Sequence, residues 1–106
     1  MSLVKKSFKE LSEMVEEIAD RFFSAKQAYY IAKQGELVAE SDLPCLFYIH
    51  KVEKAYQSLD EREKNLINNE FFFQNYQFWW TSLYSKTSFY RFKRKAMLKF
   101  LEVFYQ

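Results

Sequence analysis

Ser85-Lys86-Thr87-Ser88-Phe89-Tyr90-Arg91-Phe92-Lys93-Arg94-Lys95-Ala96-Met97-Leu98-Lys99-Phe100 decides the fold of this chain. Ser85 is a good helix N-cap, because its hydroxyl can accept a bond from an otherwise unsatisfied first-turn amide. From there Phe89, Phe92, Ala96, Phe100 and Val103 recur at a period close to 3.6, which puts them on one helical face. Thr87, Tyr90, Arg91, Arg94 and Lys95 fall on the other, with Lys86 and Ser88 at the flanks of the first turn. The apolar face is expected to hold this helix to a body while the basic face stays free. Farther along, Leu98, Leu101 and Tyr105 make the outer side apolar as well, which predicts a dock for another element, the long N-terminal helix first among them.

Working outward, the chain of 106 residues suffices for one modest core. Aromatic residues make up 21% of it, mainly 12 Phe and 8 Tyr, so that core is expected to be aromatic. One Gly and one Pro are too few for the tight turns of an all-β fold, and long segments at helical period predict an all-α architecture. The single Cys45 cannot form an internal disulfide, and no apolar run of signal-peptide or membrane-span length opens the chain. The expected setting is cytoplasmic, without a membrane partner.

Net charge is only +2, but its distribution is uneven. Residues 1–35 hold six cations and five anions, residues 36–80 hold four and eight, and residues 81–106 hold six and one. A basic end beside an acidic middle is an asymmetry suited to phosphate binding.

Upstream, Val4, Phe8, Leu11, Val15, Ile18, Phe22, Ala25, Tyr29 and Ala32 alternate at spacings of four and three. They predict one long amphipathic helix ending near Gly35, in the position after a helix where glycine is favoured. Lys9, Glu13, Glu16, Glu17 and Asp20 form its solvated face. The seam can pack on the rest of the chain or on the same helix of a second chain. Phe and Tyr at seam positions, with extra apolar Met14, Phe23 and Ile31, favour packing within the chain.

Residues 36–44 are a polar connection, in which Ser41 or Asp42 can cap the next helix and Pro44 suits its first turn if the cap lies at or near Leu43. Leu46, Ile49, Val52, Ala55, Tyr56 and Leu59 mark that second helix. His50 lies on it with no second His and no Cys at ligand spacing, so no metal or cofactor is expected. Asp60 and Glu63 form a capping box for a third helix, buried through Leu66, Ile67, Phe71 and Phe72. Asn75 is the expected turn, Phe78 to Leu83 a short fourth helix, and Leu83-Tyr84 the link to the fifth. The organisation is thus residues 1–35 as one long helix and residues 36–106 as a helical domain, together one unit.

A helix that reads DNA works through its N-terminal turns, where side chains meet base edges and backbone amides meet phosphate. Lys86, Thr87, Ser88, Tyr90, Arg91, Arg94 and Lys95 are therefore the candidate DNA-binding residues. Arginine can bond guanine bidentately, while Lys, Ser, Thr and Tyr more often position the backbone. No Gly-rich phosphate loop, metal spacing or nucleophile–base pair points to an enzyme.

The order of these elements carries a resemblance. Leu59-Asp60-Glu61-Arg62-Glu63 with Leu66-Ile67, then a short helix, then Tyr84 to Ala96, resembles region 4 of sigma-70-type factors. It looks closest to the small region-4-like helix-turn-helix regulators of low-GC bacteria and their phages, including the ArpU/RinA type, and covers roughly residues 46–104. The resemblance implies a helix-turn-helix domain and a role in transcription regulation, and leaves the N-terminal helix unexplained; with that helix packed on the domain, the expected fold is an all-α bundle of about five helices. Duplex DNA is the implied partner, with RNA polymerase beside it; a homodimer through the N-terminal helix is a further arrangement that the heptad seam allows. By the same resemblance Ser85 is the cap, Phe89 and Phe92 the inward anchors, and Lys86, Thr87, Ser88, Tyr90 and Arg91 the groove-facing residues. Tyr84 stands where the family usually has the inter-helix glycine, Trp79 and Trp80 stand at the preceding helix start, and no region-2 domain accompanies the motif. A complete sigma factor is not expected. The other function weighed is a protein-interaction module that keeps this fold without binding DNA, suggested by Trp79, Trp80, Tyr84 and Tyr90 as interface anchors.

Overall fold

A computed structural model of the chain describes residues 2–35, 44–73 and 78–106. The described residues are helical, without strands, and contain four α-helices: α1 (Phe8–Gln34), α2 (Pro44–Gln57), α3 (Glu61–Ile67) and α4 (Lys86–Phe104). A 3-10 turn, Leu3–Lys5, precedes α1, and α3 runs on into a π-helical turn, Asn68–Phe72. The choice of Ser41 or Asp42 as a cap and the turn at Asn75 lie outside the described residues.

Two helices start on reciprocal caps. Glu10 N donates to Ser7 Oγ at 3.1 Å while Ser7 N donates to Glu10 Oε1 at 3.0 Å. At α3, Glu63 N donates to Asp60 Oδ1 at 2.8 Å and Asp60 N to Glu63 Oε1 at 2.9 Å. Each box satisfies two amides that a helix start leaves bare. The bonds from Ser7 hold the Glu10 carboxyl below its ordinary pKa, and the Glu63 amide does the same for Asp60. The Ser7 cap also corrects the expected start of the first helix. Val4 belongs to the preceding 3-10 turn and is exposed, because the capping box begins the helix at Phe8. At the other end Gly35 has φ −74° and ψ −12°, right-handed geometry open to any residue, so its expected left-handed role is not used.

Between α3 and α4 the structure departs from the five-helix expectation. Phe78 to Leu83 forms successive turns closed by Thr81 N to Phe78 O at 3.2 Å and Leu83 N to Trp80 O at 2.9 Å. Thr81 Oγ1 also donates to the Phe78 carbonyl, at 2.9 Å, a local bond that competes with a helical ladder. At the π turn Asn69 Nδ2 likewise donates to the carbonyl of Asn65, at 2.9 Å. The turn closes with the wider bond from Phe73 N to Asn68 O, at 2.7 Å.

One apolar cluster joins all four helices. Leu11, Val15 and Ile18 of α1, Val52 and Ala55 of α2, Leu66 and Ile67 of α3 and Phe71 beyond it meet Phe89, Ala96, Met97, Phe100, Leu101 and Phe104 of α4. The last helix therefore runs through the middle of the packing, with α1, α2, α3 and the 3-10 turn against it. Of the expected second apolar face Leu101 is fully buried and Tyr105 is exposed, while Met97 and Phe104, placed on neither expected face, are as buried as Phe89 and Phe100. Burial along α1 is uneven. Its buried residues stop at Ala19, and Phe23, Tyr30 and Ile31 are exposed.

Candidate nucleic-acid interface

The N-terminal half of α4 is set by its cap and by an aromatic clamp beneath it. Ser85 has the extended backbone of an N-cap, and its Oγ accepts from Ser88 N at 3.2 Å. Phe89, one turn in, is 1% exposed. The Trp80 ring stacks on it at 4.3 Å and 6°, and Trp79 meets it edge-on at 5.9 Å. Tyr84 N closes the turn on Trp80 O at 3.0 Å, and the Tyr84 ring lies 5.7 Å from Phe92. The side chain standing where a glycine would be expected is thus part of the clamp. Arg62 of α3 sits over the Tyr84 and Phe92 rings, at 5.5 and 5.1 Å, and donates to Tyr84 Oη at 3.1 Å.

Lys93 faces the body. Its ammonium bonds Glu70 Oε1 at 2.7 Å, with side chains 12% and 14% exposed, and lies over the Phe8 and Phe71 rings. Glu70 Oε2 accepts from Trp79 Nε1 at 2.8 Å. A single carboxylate thereby ties α4, the turn at Trp79 and the π turn. Glu63, 2% exposed, plays a related part by accepting from Lys99 Nζ at 3.1 Å.

The outward side holds Lys86, Thr87, Ser88, Arg91 and Lys95, all exposed. From Lys86 to Lys95 they span about 13 Å of helix axis at ~1.5 Å per residue. Arg91, Arg94, Lys95, Leu98, Lys99 and Glu102 line a shallow furrow that continues this face, with Glu102 its acidic member.

The remaining two candidates are engaged by the N-terminal segment. Tyr90 is 41% exposed, its ring 5.4 Å from Phe8 and 6.2 Å from Trp80. Arg94 is half-buried, and its Nη2 donates to the carbonyls of Val4 at 2.9 Å and Lys6 at 3.0 Å. The structure therefore gathers the seven candidates on one side of α4, five of them open and two braced. Nothing in the sequence pattern marks Arg94 for this bond, since its partners are backbone atoms about ninety residues away. Glu70 had a signal: an acid directly before Phe71-Phe72 needs a cationic or donor partner when those rings are buried.

No protein-family model, curated protein or solved structure matches the chain. Among the described residues no helix is long and apolar enough to cross a membrane.

Proposed function

We propose that the protein is a DNA-binding transcription regulator that reads duplex DNA with the helix starting at Ser85. The observation that carries this reading is the open, acid-free row of Lys86, Thr87, Ser88, Arg91 and Lys95 on the first turns of a rigidly clamped helix. An α-helix about 10–12 Å across fits a major groove about 12 Å wide. Arg91 is the residue with the geometry for a bidentate contact to guanine, while Lys86, Lys95 and the two hydroxyls suit phosphate oxygens. Tyr90 and Arg94 stand at the edge of the same surface. The resemblance to sigma region 4 supports the reading and extends it to work beside RNA polymerase.

The test is fluorescence anisotropy with labelled duplexes across a salt series. Affinity should fall steeply with salt, and Arg91→Ala should reduce the slope of log K against log salt by about 1 if Arg91 touches phosphate. If Arg91 reads guanine instead, the variant should lose about 1–3 kcal/mol of discrimination. Failure to bind any duplex at low salt, or binding indifferent to Arg91→Ala, overturns the proposal.

A second reading is a protein-interaction module that does not bind DNA, and a separate surface favours it. Phe22, Phe23, Val52, Tyr56, Phe72 and Phe73 line an open furrow between α1, α2 and the π turn, with Phe23 and Phe73 exposed. Exposed aromatics beside an apolar groove are typical interface anchors. For a homodimer through α1, light scattering should give twice the chain mass at micromolar concentration, and Phe23→Glu should return the monomer. A monomer at every concentration removes the homodimer.

A further inference from the structure

The contacts that occupy Arg94 also place three lysines beside the open row. Resting on the duplex-DNA reading above, we propose that residues 2–9 form a second phosphate-contacting strip alongside α4. Arg94 is the positioning residue that fastens it there.

Four contacts hold the segment down. Leu3 packs against the core, the carbonyls of Val4 and Lys6 accept from Arg94 Nη2, and the Phe8 ring meets Tyr90 edge-on. Each is made by backbone or by an apolar side chain, so no lysine of the segment is consumed in holding it. Lys5 lies between the two carbonyls that Arg94 binds, and Lys9 follows Phe8; both are exposed. Lys6 reaches Glu10 at 3.9 Å, a distance at the limit of an ion pair. Residues 2–9 hold Lys5, Lys6 and Lys9 and no acid. The carboxylates beside it are Glu10, engaged with the Ser7 amide, and Glu102, which lines both a hollow with Leu3, Val4 and Lys6 and the furrow with Arg91, Arg94 and Lys95.

Duplex DNA is the occupant that this arrangement fits. A helix seated in the major groove is flanked by two phosphate ridges, and protein DNA contacts beside the reading helix go largely to that backbone. A basic strip fixed next to residues 90–94 of α4 meets this requirement. An arginine bonded to two carbonyls is well suited to fixing it, because the guanidinium offers several donors in a planar fork.

The experiment measures salt slopes on a short labelled duplex of mixed sequence, with Lys54→Ala on α2 as the control. Lys5→Ala/Lys9→Ala should reduce the slope by about 1–2, and the loss should be the same on unrelated sequences. Arg94→Ala should reproduce that reduction, and adding it to the lysine pair should change nothing more, because a detached strip has no contacts left to lose. An unchanged slope for the lysine pair, with Arg91→Ala still effective, overturns this inference and leaves the duplex reading standing. Additive losses for Arg94 and the lysines make Arg94 a direct phosphate ligand and overturn its fastening role. Absence of binding by the intact chain overturns both proposals. The lysine pair is solvent-exposed, so the central result does not depend on how well Arg94→Ala folds.

Discussion

Replacing Phe89 by alanine is expected to destabilise the fold by about 3–5 kcal/mol, the usual cost of emptying a buried aromatic site. Phe89 is 1% exposed and is touched by the rings of Trp79, Trp80, Tyr84 and Tyr90. These partners belong to the turn before α4 and to its own first turns, so the cavity would open under the cap at Ser85. Domains of this size hold roughly 5–15 kcal/mol in total, which makes the loss a large share of it. Urea denaturation measures it directly, and the thermal midpoint should fall by more than about 12 °C. Tryptophan fluorescence offers a local check, because Trp80 loses its stacked neighbour in the variant. Phe89→Leu should recover much of the stability while leaving the stack broken. A midpoint unchanged by Phe89→Ala would mean that the clamp does not hold α4.

The second large effect is expected at Glu70. Glu70→Ala leaves the Lys93 ammonium and the Trp79 indole N–H without their shared acceptor. Breaking one side of a largely buried ion pair costs about 3–5 kcal/mol, most of it the penalty of an uncompensated charge. The low end is expected here, because Lys93 keeps its places over Phe8 and Phe71. Glu70→Leu combined with Lys93→Met should restore most of the loss, since removing both charges also removes the desolvation cost. The four-member cycle in urea yields the coupling directly. A double variant no more stable than Glu70→Ala would show that Glu70 acts mainly through Trp79, not through the lysine.

How far the sequence could be read depended on the range of the interaction concerned. Asp60 with Glu63, and Ser85 before an acid-free turn, are local signals, and the helices begin where those residues say. Ser7 and Glu10 follow the same grammar, yet the regular spacing from Val4 onward hid them. Periodicity reports a face, while a cap reports where the face starts. Phe78 to Leu83 had enough apolar residues for a helix but is too short for periodicity to tell a helix from turns. Of the candidate site, the outward positions Lys86, Thr87, Ser88, Arg91 and Lys95 follow from the 3.6-residue period alone. The division of labour among Lys93, Arg94 and Lys95 does not. These three consecutive cations meet respectively a buried carboxylate, two backbone carbonyls and solvent, and only the packing of distant segments distinguishes them. The burial of Met97 and Phe104 escaped for the same reason. A helix surrounded by three others needs more apolar positions than one lying on a surface.

The bonds from Arg94 to Val4 and Lys6 bridge sequence separations of 90 and 88 residues. Closing so long a loop is entropically expensive, and contacts of that range are made only once the intervening chain is compact. The expected folding order is that α4 settles against α3 and its own turn before residues 2–9 arrive, which φ-values at Phe89 and Phe8 check. Completion of the basic surface then reports that the whole chain has folded. A partly folded molecule carries α4 without residues 2–9 beside it and, on the duplex-DNA proposal, would meet nucleic acid with fewer charges than the finished one.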